Sequence, residues 1–446
     1  MNEPTRFDIG IIGLGYVGLT LGTVLAEAGF SVVGVERRPE LVELTNAGTP
    51  HFTETGLPDA LSGVVKSGRL VAATAFGPDF TCDTYIITVG TPLSGDGVAR
   101  LDMIEAAARD IAEHMSDGAL VILRSTVKIG TTRDVVSPIL EASGKSFDIA
   151  MCPERTLEGK ALQELRELPQ IIGADDQPVA DRAAAVFRRL TKSIVQVSSP
   201  EAAEIVKLVG NTFRDVQFAF ANEVARLCDA FDVNAYEVIT SGKIGYDRTN
   251  VPVPGLVGGP CLEKDPHILM ESARSRGIVM EITSAGRVVN ERQPAETVAF
   301  IRDEIARRDL PHPLRISILG MAFKGVPETN DLRGSMSIKV LDALKKACPE
   351  ASIGLYDPVT SADTLAAEFP DESTFTRFGE AVSSASVVVI ANNHPSFSKI
   401  APRTIHEFMA PNGFVFDYWS HFSHLPSDEL GDSYFAVGSS GSGSRA

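Results

Sequence analysis

The chain has 446 residues, with 41 Lys and Arg against 58 Asp and Glu, a formal charge of −17, and 44% hydrophobic residues. A single core stops growing near about 250–300 residues, so two or three globular domains are expected. The acidic balance argues against nonspecific binding to nucleic acid or to an anionic membrane, so a phosphate-bearing ligand must meet local basic groups.

The first third alternates short β-branched runs with helical patterns. Residues 9–13, 32–36, 84–89 and 119–125 read as strands and 16–28 as a helix, which predicts βαβ units around a buried parallel sheet. The apolar run 9–35 is broken by glycines, holds Glu27 and lacks a basic leader. It therefore reads as strand, turn, helix and strand rather than as a signal peptide or membrane span. Within it, Gly13-Leu-Gly15-Tyr-Val-Gly18 leaves a strand and opens a helix. Gly13 allows the tight turn, Gly15 lets a pyrophosphate approach the backbone, and Gly18 lets the helix pack on the sheet, its N-terminus favouring phosphate. Glu36 ends the second strand at the spacing of a carboxylate that grips a ribose diol. Its charge would repel a 2′-phosphate, so NAD is expected over NADP. Arg37 and Arg38 read as two solvated residues opening the next helix.

From 201 to 231 the pattern becomes one long helix. Val206, Val209, Phe213, Val216, Phe220, Val224 and Leu227 step by three and four and are expected to form one buried stripe. Lys207, Asn211 and Arg214 follow i, i+4, i+7 on a polar stripe roughly 100° away. A solvated face is the ordinary explanation, yet Asn is a poor choice there. Beside a hydride-transfer site, an ammonium and an amide would stabilise an oxyanion.

A Gly/Pro-rich loop, 241–266, and a helical stretch, 268–308, come next. The loop contains Gly258-Gly259-Pro260-Cys261-Leu-Glu-Lys264-Asp265. The paired glycines open the backbone around Cys261, so its thiol is expected to be reachable, and Lys264 with a helix N-terminus near Asp265 would favour the thiolate. Cys82, Cys152, Cys228 and Cys348 read as packing residues. Scattered, odd in number and without CxxC spacing, the five cysteines fit reduced thiols of a cytoplasmic protein; neither a disulfide nor a metal site is expected.

After 309–313, a linker candidate, strands return at 315–319, 351–356, 386–390 and 413–416 as a second doubly wound domain. The Gly/Ser-rich end, 439–446, reads as disordered. The expected fold is α/β: two Rossmann-like doubly wound domains at 1–200 and 314–438, joined by a long central helix and helical region at 201–308.

Several short motifs occur in a fixed order: Gly13 to Gly18, Val89-Gly-Thr91-Pro, Ser125-Thr126-Val, Pro153-Glu154, Lys207 with Asn211, the Gly258 to Asp265 segment, and Gly320-Met-Ala-Phe323-Lys324. Together they resemble the UDP-glucose/GDP-mannose dehydrogenase family, over about residues 7–438. The resemblance implies an N-terminal NAD domain, a central dimerisation region making a homodimer or higher oligomer, and a C-terminal nucleotide-sugar domain. It also implies a four-electron oxidation of a sugar C6 alcohol, with two NAD per turnover. Cys261 would attack the intermediate aldehyde to form a thiohemiacetal and then a thioester, because an aldehyde has no good hydride to give until a nucleophile adds to it. Lys207 and Asn211 would steady oxyanions, Asp265 and Glu154 would serve proton transfer and the hydrolytic water, and Thr126 would lie beside that water and the nicotinamide. Thr91, Glu158, Lys264 and Arg333 match positions at the cofactor. Gly258, Arg248, Phe323 and Lys324 match positions at the sugar nucleotide. Such uronic acids usually feed cell-surface polysaccharides.

The segments Cys152-Pro-Glu154-Arg155-Thr-Leu-Glu158 and Asn211-Thr-Phe-Arg214-Asp resemble the branch acting on UDP-N-acetylhexosamines, UDP-N-acetylmannosamine being the nearest match. Arg155 and Arg214 are candidates for the acetamido group. UDP-N-acetylglucosamine and UDP-glucose are the alternative sugars. Two departures from the family stand out: Pro260 where many relatives carry Ser or His, and a Lys324-to-Arg333 spacing two residues longer than the common one. A single-step hydroxyacid dehydrogenase would share the Rossmann domain and a Lys-plus-Asn pair but would not need Cys261. A non-catalytic NAD or sugar-nucleotide binder would need none of Lys207, Asn211, Cys261 and Asp265.

Overall fold

A computed structural model describes residues 5–77, 80–95, 97–425 and 427–439. The chain divides into two compact units, the first made of 1–211 with 264–279 and the second of 212–263 with 280–446.

In the first unit an eight-stranded sheet has the order β3-β2-β1-β4-β5-β6-β7-β8. Its strands are β1 (Thr5–Ile12), β2 (Val32–Val35), β3 (Leu70–Ala73), β4 (Phe80–Ile87), β5 (Ala119–Leu123), β6 (Phe147–Met151), β7 (Gln170–Gly173) and β8 (Ile194–Val197). The first six are parallel, as the β-branched runs predict for strands buried on both faces. β7 turns antiparallel to β6, a reversal that the sequence reading did not contain. Two buried clusters cover the sheet: one gathers Leu19, Leu21 and Leu25 of the helix Tyr16–Glu27 with Phe187, the other Ile104 and Ile111 with Leu140.

The second unit carries a six-stranded parallel sheet, β11-β10-β9-β12-β13-β14, built from β9 (Arg315–Leu319), β10 (Ser352–Tyr356), β11 (Ser373–Thr374), β12 (Val387–Ile390), β13 (Phe414–Asp417) and β14 (Tyr434–Ala436). The order reverses between β9 and β12, and open α/β sheets bind ligands beyond the strand ends at such a point. Both sheets are therefore doubly wound, as expected, with strand ends displaced by a residue or a few from the sequence reading.

Three readings need correction. The long helix runs Pro200–Ala230, but its apolar stripe is not buried in this chain: Phe213, Phe220 and Leu227 are 60%, 55% and 58% exposed. The inward positions hold mostly small apolar residues, among them Ala203, Ala219, Ala221 and Ala225, with polar Glu204, Lys207, Asp215 and Asn222 between them. The stretch 268–308 is not one helix but two, Asp265–Arg274 and Glu281–Arg307, parted at Gly277, whose φ of +73° ends the first. The loop 241–266 starts inside the helix Ala235–Lys243 and contains the one-turn helix Gly259–Leu262. Of the tail read as disordered, residues 440–446 lie outside the described ones. Among the described residues no helix is long and apolar enough to cross a membrane.

Candidate active site

In the first unit the turn after β1 explains its glycines. Gly13 holds φ +94° and donates to Val35 O at 2.8 Å, a conformation that a side chain resists. The Thr88 hydroxyl pins the turn by donating to Ile12 O and Gly13 O at 2.9 and 2.7 Å. A Cβ on Gly18 would lie 1.8 Å from Gly13 O, so helix and turn touch only because that residue is glycine. Around Gly15 a Cβ would meet nothing within 4 Å. As the N-cap of the helix Tyr16–Glu27 it brings no side chain to the first amides. A diphosphate fits both the space and the donors.

Glu36, just past β2, is buried and accepts from the Arg38 amide at 3.2 Å and from its guanidinium at 3.0 and 3.3 Å. Burial pushes its carboxyl up, but the Arg38 bonds and charge outweigh this and hold it below the ordinary value. Arg38 is therefore not a merely solvated neighbour: it pairs with the carboxylate expected on the ribose.

A second group in this unit joins residues far apart in sequence. Asn211 donates to Asp265 Oδ2 at 2.6 Å, and Asp265 is fully buried. Lys264 Nζ lies 3.5 Å from Asp265 Oδ1 and donates to Thr91 Oγ1 at 3.3 Å. Thr91 in turn donates to Thr126 O at 2.5 Å. Lys207 is buried one turn before Asn211 on the same helix. Its charge reaches Glu154, whose own partner the sequence did not reveal. Arg124, fully buried, donates to Glu154 Oε2 from Nε and Nη2 at 3.0 and 2.6 Å, and to Cys152 O and Gln170 Oε1, each at 3.1 Å. The other Glu154 oxygen accepts from the Arg155 and Thr156 amides at 2.7 and 2.8 Å. Burial raises this carboxyl, but Arg124, the Thr156 amide and Lys207 overcome it and keep it below the ordinary range. Arg155 is exposed and Glu158 half-buried. Next to Glu158, the Gly159 amide donates to Glu54 at 2.7 Å, and Glu54 also accepts from the Tyr16 hydroxyl. Burial first and Glu54 second push that phenol well above its ordinary range. Arg124 and Glu54 carry no motif; only a fold brings them to their partners.

In the second unit Cys261 is the exposed member of the five cysteines, while Cys82, Cys152, Cys228 and Cys348 are buried. Burial pushes the Cys82 and Cys152 thiols up to about 12. Cys261 sits in the helix Gly259–Leu262, where Pro260 occupies the first turn and its missing N–H costs no helical bond. The two glycines before it do more than open the backbone. Gly259 has φ +89°, donates to Gly334 O at 2.7 Å, and a Cβ there would meet the Phe323 ring at 2.4 Å. A Cβ on Gly258 would lie 2.4 Å from Gly334 O. The loop is thus fitted onto the Phe323 segment that follows β9. Lys324 Nζ lies 5.3 Å from the Phe323 ring centre, and the Arg248 guanidinium 5.0 Å from that of Tyr246. Arg214 and Arg333 are exposed, and Arg333 forks onto Asp331 at 2.9 and 2.6 Å.

Three domain models of one family match in order: the NAD binding domain at 7–191, the central domain at 201–292 and the UDP binding domain at 317–424. The chain belongs to the UDP-glucose/GDP-mannose dehydrogenase family. Membership makes it an NAD-dependent nucleotide-sugar dehydrogenase. A UDP-N-acetyl-D-mannosamine dehydrogenase of Pyrococcus horikoshii is 33% identical over 399 residues, 88% of this chain and 90% of that protein. One from Campylobacter jejuni is 33% identical over 414 residues, 90% and 98% of the two chains. The solved structure of the Pyrococcus horikoshii enzyme superposes with a TM-score of 0.86 at 31% identity, covering 98% of this chain and 100% of that one. A UDP-glucose dehydrogenase of Pyrobaculum islandicum gives 0.84 at 28% identity, covering 98% of each. In this family member the motifs read from sequence divide between the units: Thr91, Thr126, Glu154, Lys207, Asn211, Lys264 and Asp265 belong to the first, and Arg214, Arg248, Gly258, Cys261, Phe323, Lys324 and Arg333 to the second.

Proposed function

We propose that this chain oxidises the C6 alcohol of UDP-N-acetylmannosamine to the uronate through a covalent bond to Cys261. The observation that carries the reading is the exposed thiol on a one-turn helix fitted between Gly258, Gly259 and Phe323, while the other four cysteines pack in cores. The names of the two relatives above support the sugar.

Bound NAD supplies the hydride acceptor, two molecules per turnover, held by Gly13, Gly15, Gly18, Glu36, Thr91, Thr126, Glu158, Lys264 and Arg333. The sugar C6 first loses a hydride and its hydroxyl proton to become an aldehyde. The Cys261 thiolate adds to that carbon, and the new oxyanion takes a proton to give a thiohemiacetal. Loss of the second hydride and the hydroxyl proton leaves a thioester, and water breaks the carbon–sulfur bond to release carboxylate and thiol. Lys207, an ammonium already buried, and Asn211 stabilise the oxyanions. Asp265, bonded to Asn211, takes up the protons. Glu154, held ionised by Arg124, is a weak base and acts by orienting the attacking water. Arg248, Gly258, Phe323 and Lys324 take the nucleotide, and Arg155 and Arg214 the acetamido group.

We assign the NAD domain to 1–200, the central region to 201–308 and the sugar-nucleotide domain to 314–438. The exposed apolar row of the long helix supports a homodimer formed through it. The scattered, odd-numbered cysteines without CxxC spacing support a cytoplasmic location.

The test is a panel of UDP-N-acetylmannosamine, UDP-N-acetylglucosamine and UDP-glucose with NAD, followed by NADH absorbance. The mannosamine substrate is expected to give the highest kcat/KM and two NADH per sugar. A higher value with UDP-glucose rejects the sugar, and a Cys261→Ser enzyme that still forms two NADH at near the parental rate rejects the mechanism.

A further inference from the structure

Beneath the cysteine loop of the second unit runs a chain of buried polar groups that no motif announced. Asn222, on the long helix, pairs with Gly255 as a strand neighbour would: its Nδ2 donates to Gly255 O at 3.1 Å, and Gly255 N donates to its Oδ1 at 3.0 Å. The same amide donates to Asn290 Oδ1 at 3.0 Å. Asn290, on the helix Glu281–Arg307, donates to Asp215 O and Oδ1 at 3.0 and 2.9 Å. Arg287, one turn away, donates from Nη1 to Asp215 Oδ1 at 2.7 Å and to Leu262 O at 3.3 Å, while Nε and Nη2 reach Glu291 at 3.2 and 3.0 Å. Asp215, Asn222 and Asn290 are 0% exposed and Arg287 2%.

The two backbone points this network grips bracket Cys261. Gly255 opens the segment that carries Gly258 and Gly259, and Leu262 follows the cysteine directly. An ion pair and two amides in a core are costly to bury, and similar apolar side chains would stabilise the core at least as well. A bonded polar network does instead what an apolar core cannot: it fixes one backbone arrangement by direction, here through every group but Asp215 Oδ2, which has no partner among the described residues.

We propose that Asp215, Asn222, Arg287 and Asn290 are positioning residues that hold the cysteine loop so that Cys261 meets the aldehyde carbon. The proposal rests on the reading of Cys261 as the nucleophile. Arg287 and Asn222 act through the backbone at Leu262 and Gly255, not on the substrate. Their loss therefore falls on the step that needs sulfur and spares the first oxidation, which does not.

The experiment uses full-length Arg287→Lys, which keeps a cation for Asp215 but cannot also fork to Leu262 O and Glu291, and Asn222→Ala, which strips both bonds from Gly255. Each is assayed with UDP-N-acetylmannosamine, NAD and semicarbazide, which traps free aldehyde. Aldehyde semicarbazone is expected to accumulate and NADH per sugar to fall from two towards one, with the second oxidation slowed by about a hundredfold, the cost of a misplaced reacting group. Arg287→Lys should be the milder of the two. Loss of both oxidations in equal proportion, or a ratio that stays at two in both variants, overturns the proposal. Cys261→Ala run alongside separates the two claims. If it also yields two NADH and free acid, the nucleophile reading itself has failed; if it stalls while both variants behave as the parent, only the positioning has.

Discussion

Replacing Arg124 by Met should uncover how much the Glu154 carboxylate depends on it. Arg124 is 1% exposed and Glu154 8%, and Arg124 donates twice to one carboxylate oxygen. Removing one partner of a buried pair costs about 3–5 kcal/mol, because it leaves an uncompensated charge. The Arg124 bonds to Cys152 O and Gln170 are lost as well. The pH dependence follows from the direction of the Glu154 shift. In the parent its folded value is lowered, so the pair stabilises above the ordinary carboxylate range and that stability is lost as pH falls through the folded value. In Arg124→Met the Thr156 amide and Lys207 still oppose burial but the Arg124 bonds and charge are gone, so the value rises above the parent's, and the deficit at neutral pH is relieved as acid protonates Glu154. The deficit should therefore be largest at pH 7 and shrink towards pH 4.5. Urea unfolding followed by far-UV circular dichroism measures it. Trp419, the one tryptophan, lies in the second unit and reports on that unit through its fluorescence. The dichroism transition should move and the fluorescence transition should shift less. A loss under about 1 kcal/mol at pH 7, or an equal loss at both pH values, refutes the reasoning.

Iodoacetamide at pH 7 should label Cys261 alone, with Cys82, Cys152, Cys228 and Cys348 reacting only in denaturant, since burial raises all four; peptide mass spectrometry counts the sites. Glu36→Ser removes the carboxylate that Arg38 now grips and leaves that guanidinium for a 2′-phosphate. The NADP to NAD ratio of kcat/KM should rise by about tenfold, and an unchanged ratio counts against Glu36 at the ribose. Phe220→Glu places a charge in the exposed apolar row, so light scattering should report a smaller species than the parent; an unchanged mass argues that assembly uses another face.

What the sequence made legible were features that one residue type enforces. Gly13 and Gly18 each have a reason of their own in the motif, because a positive φ and a helix seated on a carbonyl each exclude a side chain. Cys261 stood apart because paired glycines preceded it. Features that depend on a second body or a distant partner stayed hidden. The period of the long helix locates an apolar row at Phe213, Phe220 and Leu227, but periodicity names a face and not what covers it, so the row reads as core although the chain's own core lies opposite. Arg124 reads as any arginine at a strand end until Glu154, thirty residues later, folds against it. The reversal at β7 turns on one bridge between Met151 and Gly173, too local for alternation to register.

The long helix joins these observations. Phe220 points outward and Asn222, two positions on, inward to Gly255, so about 200° of helix rotation separates an apolar face from a polar one. Ordinary amphipathic helices bury their large apolar side chains, whereas this one buries mostly small ones, Ala203, Ala219, Ala221 and Ala225, with polar groups between them, and leaves Phe213, Phe220 and Leu227 outside. The arrangement is costly for an isolated molecule: apolar rings meet water while Asp215 and Asn222 are desolvated. Both costs fall if the outer face finds a partner surface and the inner polar groups find bonds. On the inner side Asn222 bonds Gly255 and Asn290, and Asp215 Oδ1 accepts from Asn290 and Arg287, while Asp215 Oδ2 has no partner among the described residues. One helix thus presents an exposed apolar row on one side and the bonds to Gly255 on the other, so a substitution at Phe220 and one at Asn222, two positions apart, test separate proposals.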